Sequence, residues 1–360
     1  MKKKIYIFSA RSRAAVYGIG TYISQLTSCL KNAGIDFAVI YLYAEEREVT
    51  QTEKNGYPQI SIPAVNMDNG EKSAERYNRN LVYLLKDFIR EKEETERIFH
   101  LNFMSDNNLV DCLRNNFNCK ILLTVHYTEW SFALLGDLDR LKQILRKRKS
   151  RLKPYEKNLK KKVEDDIRFI NQCDHTVFIS QHTFDSYKEM GAIEETKTSL
   201  VNNSLKDVYH NLPLIRRSEL RQKAHITDET KIIFFAGRLD AVKGVNYLIK
   251  AFKAVLQKHP EAHLFIAGDG DFSGLTKEAS GIWPKVTFTG RLSKKELFRF
   301  YSLADIGVVS SIHEEFGYVA IEMMMHRLPM IVTDTTGLSE IIQDGENGLK
   351  IPIKKVGKLR

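Results

Sequence analysis

Cysteine is scarce and scattered. The 360 residues hold four, Cys29, Cys112, Cys119 and Cys173, with no Cys-x-x-Cys spacing and no clustered histidines. Neither a zinc site nor a disulfide framework is supported by that pattern, and reduced, structural thiols are the better reading. Long apolar runs are missing too: no stretch approaches the roughly 20 consecutive apolar residues that crossing a bilayer takes. Met1-Lys2-Lys3-Lys4 leads straight into a short strand instead of a signal-peptide core, so the expectation is a cytoplasmic protein. Glycine is absent where a dinucleotide fingerprint would need it. Tyr17-Gly18-Ile19-Gly20-Thr21 supplies two glycines, but positions 9–13 hold none and position 23 is Ile23. A nicotinamide dehydrogenase is thereby disfavoured.

What is present is ordinary globular material, 43% hydrophobic and 28% charged, in a chain long enough for about two domains. The net charge of +10 is unevenly spread. The stretch 140–162, from Arg140 to Lys162, contains twelve Lys or Arg and a single acid, Glu156. Leu141, Ile144, Leu145 and Leu152 recur there at helical spacing, which predicts a basic amphipathic helix interrupted at Pro154. Such a helix can lie on an anionic membrane surface, where each nearby base contributes about 1 kcal/mol. A solvated helix face or a contact with another polyanion accounts for the same residues. Nucleic acid is disfavoured, because the interleaved aromatics of a single-strand binder are lacking.

Short apolar strands alternate with helical patterns along the whole chain. In the first half they are Lys4-Ile5-Tyr6-Ile7-Phe8-Ser9, Phe37-Ala38-Val39-Ile40-Tyr41-Leu42, Ile98-Phe99-His100-Leu101, Ile121-Leu122-Leu123-Thr124-Val125 and Thr176-Val177-Phe178-Ile179. In the second they are Lys231-Ile232-Ile233-Phe234-Phe235-Ala236, His263-Leu264-Phe265-Ile266, Val286-Thr287-Phe288, Ile306-Gly307-Val308-Val309 and Met330-Ile331-Val332. Near-continuous apolar strands separated by helices mean parallel sheets covered on both faces. The pattern weakens between Asn203 and Thr230, around Pro213, and predicts two domains, 1–205 and 206–360. Two facing doubly wound domains would leave a cleft at the ends of both sheets.

The chemistry concentrates at strand-to-helix junctions. Glu314 and Glu322 bracket the run Glu314-Glu315-Phe316-Gly317-Tyr318-Val319-Ala320-Ile321-Glu322 between a buried strand and a helix start. A helix start offers free N–H groups and a positive dipole to an anion, so an acidic pair beside it suits a ligand with both hydroxyls and phosphates, such as a nucleotide sugar. Acids that merely complement the helix dipole are the plainer reading. Arg238 and Lys243, five residues apart in the glycine-flanked loop Gly237-Arg238-Leu239-Asp240-Ala241-Val242-Lys243-Gly244, can grip a diphosphate from two sides, or be two solvated cations. Gly18 and Gly20 let backbone approach a ligand closely. His126 ends a strand and can bond a sugar hydroxyl or satisfy backbone in the core; His100 and Asn102 are weaker candidates of the same type. Tyr127 and Trp130 can stack on a sugar ring or belong to the core.

Together these elements resemble the retaining GT-B glycosyltransferases of the GT4, or glycosyl transferases group 1, family. The resemblance runs from the Gly18 loop to Pro352 and includes, in order, Thr124-Val125-His126, Cys173 through Ser180, Val201-Asn202-Asn203-Ser204, Gly237-Arg238-Leu239 with Lys243-Gly244, Ala267-Gly268-Asp269-Gly270, Val286 through Gly290, Ser311-Ile312-His313-Glu314 through Glu322, Gly337-Leu338-Ser339-Glu340 and Asn347-Gly348-Leu349. It implies an α/β, GT-B fold of two Rossmann-like domains, the first on the acceptor side and the second on the donor side. It implies transfer of a hexose-type sugar from a nucleotide-diphosphate sugar to a glycan or lipid-linked acceptor, without metal or cofactor. Arg238 and Lys243 would hold the donor diphosphate, aided by backbone at Gly18, Gly20, Gly317, Tyr318 and Val319. Glu322 would bind the ribose, Glu314 would orient the donor sugar, and His126 would touch the sugar or line the acceptor side.

The departures from the family pattern are His126-Tyr127 for His-Asp, Tyr17-Gly18 for Gly-Gly, Ser310-Ser311 for Pro-Ser and Asn203-Ser204 for Asn-Gly. They leave the sugar open. Family members normally continue for some tens of residues past the Asn-Gly-Leu segment, so a truncated second domain is expected. That shortening motivates an alternative, a catalytically silent nucleotide-sugar-binding or partner subunit. A polyanion-binding protein acting through 140–162 is the other. The localisation expected is cytoplasmic, with the basic segment available to the inner face of the membrane.

Overall fold

The computed structural model describes residues 3–10, 18–64, 71–90, 95–104, 107–207, 214–224 and 226–353. Met1, Lys2, positions 11–13, Tyr17, Pro213 and the tail from Lys354 lie outside the described residues. Contacts divide the chain into two units, Met1–Ser204 and Leu205–Arg360.

Unit 1 carries strands β1 (Lys3–Ala10), β2 (Phe37–Ala44), β3 (Thr50–Lys54), β4 (Tyr57–Pro63), β5 (Glu96–Leu101), β6 (Cys119–Val125), β7 (His175–Phe178) and β8 (Thr198–Leu200). Its helices are α1 (Gly18–Asn32), α2 (Glu71–Phe88), α3 (Asn107–Asn116), α4 (Glu129–Leu134), α5 (Leu138–Arg146), α6 (Pro154–Gln172) and α7 (Gln181–Glu189). The sheet order is β3-β4-β2-β1-β5-β6-β7-β8, parallel except for the β3–β4 hairpin. Side chains of β1 go alternately to the two faces. Tyr6 and Phe8 join Phe99 and Leu101 on one side, while Ile7 packs with Ile19, Ile23 and Val39 on the other. Both faces are covered, which is why the strand reads as a continuous apolar run.

Unit 2 contains α8 (Leu214–Lys223), β9 (Lys231–Ala236), α9 (Val245–Leu256), β10 (Ala262–Ala267), α10 (Ser273–Glu278), β11 (Val286–Gly290), α11 (Lys294–Leu303), β12 (Ile306–Val309), α12 (Tyr318–Met325), β13 (Met330–Asp334), α13 (Thr336–Ile341) and β14 (Leu349–Pro352). Its order, β11-β10-β9-β12-β13-β14, is that of a doubly wound dinucleotide-binding sheet. Phe234 packs on one face and Phe235 on the other. The weakly periodic stretch before β9 holds α8. Its Arg217 and Arg221 donate to the Leu303 carbonyl, which fastens this helix to unit 2.

In each sheet the first strand is central, and the chain crosses back over it once. The reversal falls between β9 and β12 in unit 2 and between β1 and β5 in unit 1. The loops leaving those strand pairs are therefore neighbours whatever their separation in sequence, and this is where ligands settle in open α/β sheets.

The basic stretch does not form one helix interrupted at Pro154. Helix α5 stops at Arg146, a 3-10 turn follows at Lys149–Arg151, and Pro154 is the first residue of α6. Proline suits that position because its missing N–H has no helical partner there. Nor is the apolar face free to meet lipid. Leu141, Ile144 and Leu152 lie in a local core with Trp130, Leu134, Leu159 and Val163. Each such side chain contributes roughly 1.5–3 kcal/mol in place, and turning that face outward would forfeit it. Among the described residues, no helix is long and apolar enough to cross a membrane.

Candidate functional site

The loop after β9 is built to hold two cations. Asp240 caps the 3-10 turn Ala241–Lys243, accepting from the Lys243 N–H at 3.2 Å, and its carboxylate meets Arg238 Nη2 at 3.3 Å. Gly244 then takes a left-handed conformation, φ +62°, against the loop after β12. A Cβ there would sit 2.2 Å from the Ser310 carbonyl oxygen, so only glycine permits the approach.

That approach stitches the two loops together. The Ile312 N–H donates to the Val242 carbonyl at 2.7 Å, and Ser310 Oγ donates to the Lys243 carbonyl at 2.9 Å. The Lys243 ammonium forms an ion pair with Glu314, and Ser311 Oγ donates to the same carboxylate at 3.1 Å. The Glu314 carbonyl accepts from the Gly337 N–H at 2.7 Å, which ties the loop to α13 as well. Both charged side chains of the pair are largely buried, 16% and 18% exposed, so they interact more strongly than a surface pair would.

Gly317 stands at the N-cap of α12, placing the Tyr318 and Val319 N–H groups at a helix N-terminus. Glu322, one turn further, is 4% exposed. Its carboxylate accepts from Tyr301 Oη at 3.0 Å and pairs with the Lys294 ammonium. Burial, with the Glu322 charge adding to it, holds the Tyr301 hydroxyl well above its ordinary pKa. Lys294 and Tyr301 were not legible as site residues; they reach Glu322 only through the packing of α11 on α12.

Gly18, Gly20 and His126 belong to unit 1. The two glycines open α1, and His126 follows β6. His126 Nε2 meets Asn102 Oδ1 at 3.1 Å, and the Tyr22 ring stands edge-on to the imidazole, 4.6 Å between centroids. His100 Nε2 meets Thr124 Oγ1 at 2.7 Å. Burial, and next the neighbouring His100, pulls the His126 pKa down to about 3; burial alone takes His100 to about 4. Both rings are neutral at ordinary pH. Trp130 is fully buried in the local core and is not a stacking platform. Tyr127 packs against the buried cluster that contains Ile7, Ile19 and Ile23, and stands edge-on to Phe132.

Among the described residues, no group of three His, Cys, Asp or Glu side chains is arranged to hold a metal ion. The unit 2 arrangement instead offers two cations, a helix N-terminus and two carboxylates around one topological switch point, donor and acceptor groups suited to a phosphorylated polyol.

Residues 216–359 match the model of the family described as glycosyl transferases group 1. An uncharacterized glycosyltransferase of Methanocaldococcus jannaschii is 37% identical over 142 residues, which are 39% of this chain and 36% of that protein. The chain spans about a third of the length of the first curated relatives it matches. Sucrose-phosphate synthase from Thermosynechococcus elongatus aligns with a TM-score of 0.73 at 19% identity, over 98% of this chain and 86% of that one. Anabaena HepE, solved in complex with UDP-glucose, gives 0.65 at 16% identity, over 97% and 85%. The likeness establishes the fold, two parallel-sheet Rossmann-like units of the GT-B class.

Proposed function

We propose that this chain, whose second unit matches the glycosyl transferases group 1 model over residues 216–359, is a retaining glycosyltransferase. In this reading it moves a hexose-type sugar from a nucleotide-diphosphate sugar to a glycan or lipid-linked acceptor. The observation that carries the proposal is the Lys243–Glu314 pair at the β9/β12 switch point, with Arg238 on the same loop and the α12 N-terminus beside it. Arg238, Lys243 and the N–H groups of Gly317, Tyr318 and Val319 take the diphosphate. Glu322 takes the ribose hydroxyls with lone pairs that Tyr301 and Lys294 leave over, since a carboxylate accepts about four hydrogen bonds. Glu314 orients the donor sugar.

The chemistry follows from charge. As the bond between the anomeric carbon and the phosphate oxygen breaks, negative charge grows on the departing diphosphate. Cations already in place stabilise it more in the transition state than in the ground state. The acceptor oxygen attacks from the leaving-group face, and its proton passes to the departing phosphate oxygen. That route needs no protein base and keeps the anomeric configuration. In unit 1, Gly18 and Gly20 offer backbone N–H groups to an anion, and His126 offers a ring nitrogen to a hydroxyl.

A thermal-shift screen against UDP-, GDP- and ADP-sugars tests donor binding, because a ligand that binds only the folded state raises stability as RT ln(1 + [L]/Kd). Transfer or donor hydrolysis by the binding pair tests the activity. If Arg238→Ala and Glu314→Ala leave both unchanged, the site assignment is wrong. Donor binding without any turnover would make the chain a silent nucleotide-sugar binder.

The basic segment supports a contact with an anionic membrane surface by charge alone. Arg146, Arg148, Lys149, Arg151 and Lys157 are exposed and form no ion pair among the described residues. The segment would recruit the enzyme to a lipid-linked acceptor. Cosedimentation with vesicles containing anionic lipid should fall steeply with salt; binding equal to that on neutral vesicles would dismiss the contact.

A further inference from the structure

Asn102 is 1% exposed and all its amide atoms are engaged. Its Nδ2 donates to two backbone carbonyls, Phe8 O at 3.3 Å and His100 O at 3.2 Å. Both acceptors demand a donor, so the amide can stand only one way round, with Oδ1 toward His126. An acceptor facing Nε2 requires Nε2 to carry hydrogen. In a neutral imidazole the other nitrogen, Nδ1, is then a bare acceptor. The edge-on Tyr22 ring restricts rotation of the imidazole about that arrangement. Among the described residues no donor is paired with Nδ1.

We propose that Asn102 is a positioning residue that locks His126 in the Nε2–H tautomer, leaving Nδ1 to accept a hydrogen bond from a hydroxyl of the bound sugar. The second half of this inference rests on the role proposed for His126; the first half does not. The lock has a consequence for selectivity. A ring that can only accept rejects a phosphate or carbonyl oxygen at that point and takes a hydroxyl hydrogen, so His126 reads the sugar and not the diphosphate. It also bars His126 from acting as a general acid.

Two measurements decide the matter. Long-range 15N–1H correlation of the histidine rings, with His126 assigned by its loss in His126→Gln, should show protonated Nε2 and unprotonated Nδ1 from neutral pH into mild acid. An Nδ1–H tautomer or an imidazolium in the unmodified protein would overturn the lock. Asn102→Ala should convert the signal to an average of both tautomers, and an unchanged signal would also count against the proposal. In the binding arm, UDP-glucose, GDP-mannose and ADP-glucose are each titrated beside their own nucleoside diphosphates. Asn102→Ala should weaken the sugar nucleotide by about tenfold, a difference of 1.4 kcal/mol, and leave the nucleoside diphosphate unaffected. Equal weakening of both would refute the sugar contact. If no sugar nucleotide binds the unmodified protein, the proposed function fails, while the spectrum still decides the tautomer.

Discussion

Asp305 and Ile232 are joined in both directions. The Asp305 N–H donates to the Ile232 carbonyl at 2.9 Å, and the Ile232 N–H donates back to Asp305 Oδ2 at 2.8 Å. The bracket fixes the entry of β12 beside β9, and with it the register that sets the loops after those two strands side by side. Unit 1 has the same device one strand from its switch point, where Asp174 and Ile121 exchange bonds of 2.9 and 2.8 Å.

The brackets should differ in worth. Asp305 also faces Arg221, a buried guanidinium, and Arg217 at 2.9 Å. Asp305→Ala leaves the buried Arg221 only backbone carbonyls and the exposed Asp228 at 3.9 Å, so a loss of about 3 kcal/mol is expected. Asp174 pairs with the exposed Arg114 and Lys120, and Asp174→Ala should cost about 1 kcal/mol. Urea unfolding midpoints of the two variants test the order.

Lys243 cannot serve a diphosphate and Glu314 equally well at once. Glu314→Gln removes the competing charge. A nucleoside diphosphate should then bind several-fold tighter while transfer falls by about two orders of magnitude, the separation expected when a group acts mainly in the transition state. Lys243→Ala should weaken the diphosphate by about 2 kcal/mol. Calorimetry on both variants with rate assays checks the pair.

Gly244→Ala places a methyl group against the Ser310 carbonyl in a left-handed backbone. A stability loss of about 1–3 kcal/mol is expected, along with loss of nucleotide binding as the loops part. Thermal melts with and without nucleoside diphosphate measure both.

Asp166 makes stability fall as pH rises. Burial, then the charges of Glu129 and Asp165, push its pKa up to about 7 from an ordinary value near 3.8. The folded state therefore holds a proton that the unfolded state has released. Its contribution is complete below the unfolded value and is lost as pH rises through about 7. Asp166→Asn should flatten that slope and leave the acid side nearly unchanged in urea titrations.

The fold class was legible because both sheets are buried on two sides, so strands such as Phe234-Phe235 announce themselves. The β3–β4 hairpin is harder to see. Thr50–Lys54 is polar and exposed and lacks that signature, although Asn55-Gly56, at φ +60° and +76°, is a turn dipeptide that points to a hairpin. β8 and β14 are too short or too exposed to show periodicity. Lys243 and Glu314 were legible as candidates because each lies at a strand-to-helix junction; their pairing was not, since it depends on strand order. The partners of Glu322 and the lock on His126 follow from packing between elements, which spacing along the chain does not encode. In the 140–162 stretch, leucines buried in a local core leave the same imprint as one amphipathic helix, so its division into α5, a 3-10 turn and α6 is not legible.

The seam joining residues 240–244 to 310–314 makes the two loops a single clamp. Its spacing rests on the Ile312–Val242 backbone bond and on the close approach of Gly244 to Ser310, so exchanging a side chain such as Arg238 or Glu314 leaves the frame that carries it standing. The charges mounted on such a frame can be altered without rebuilding it.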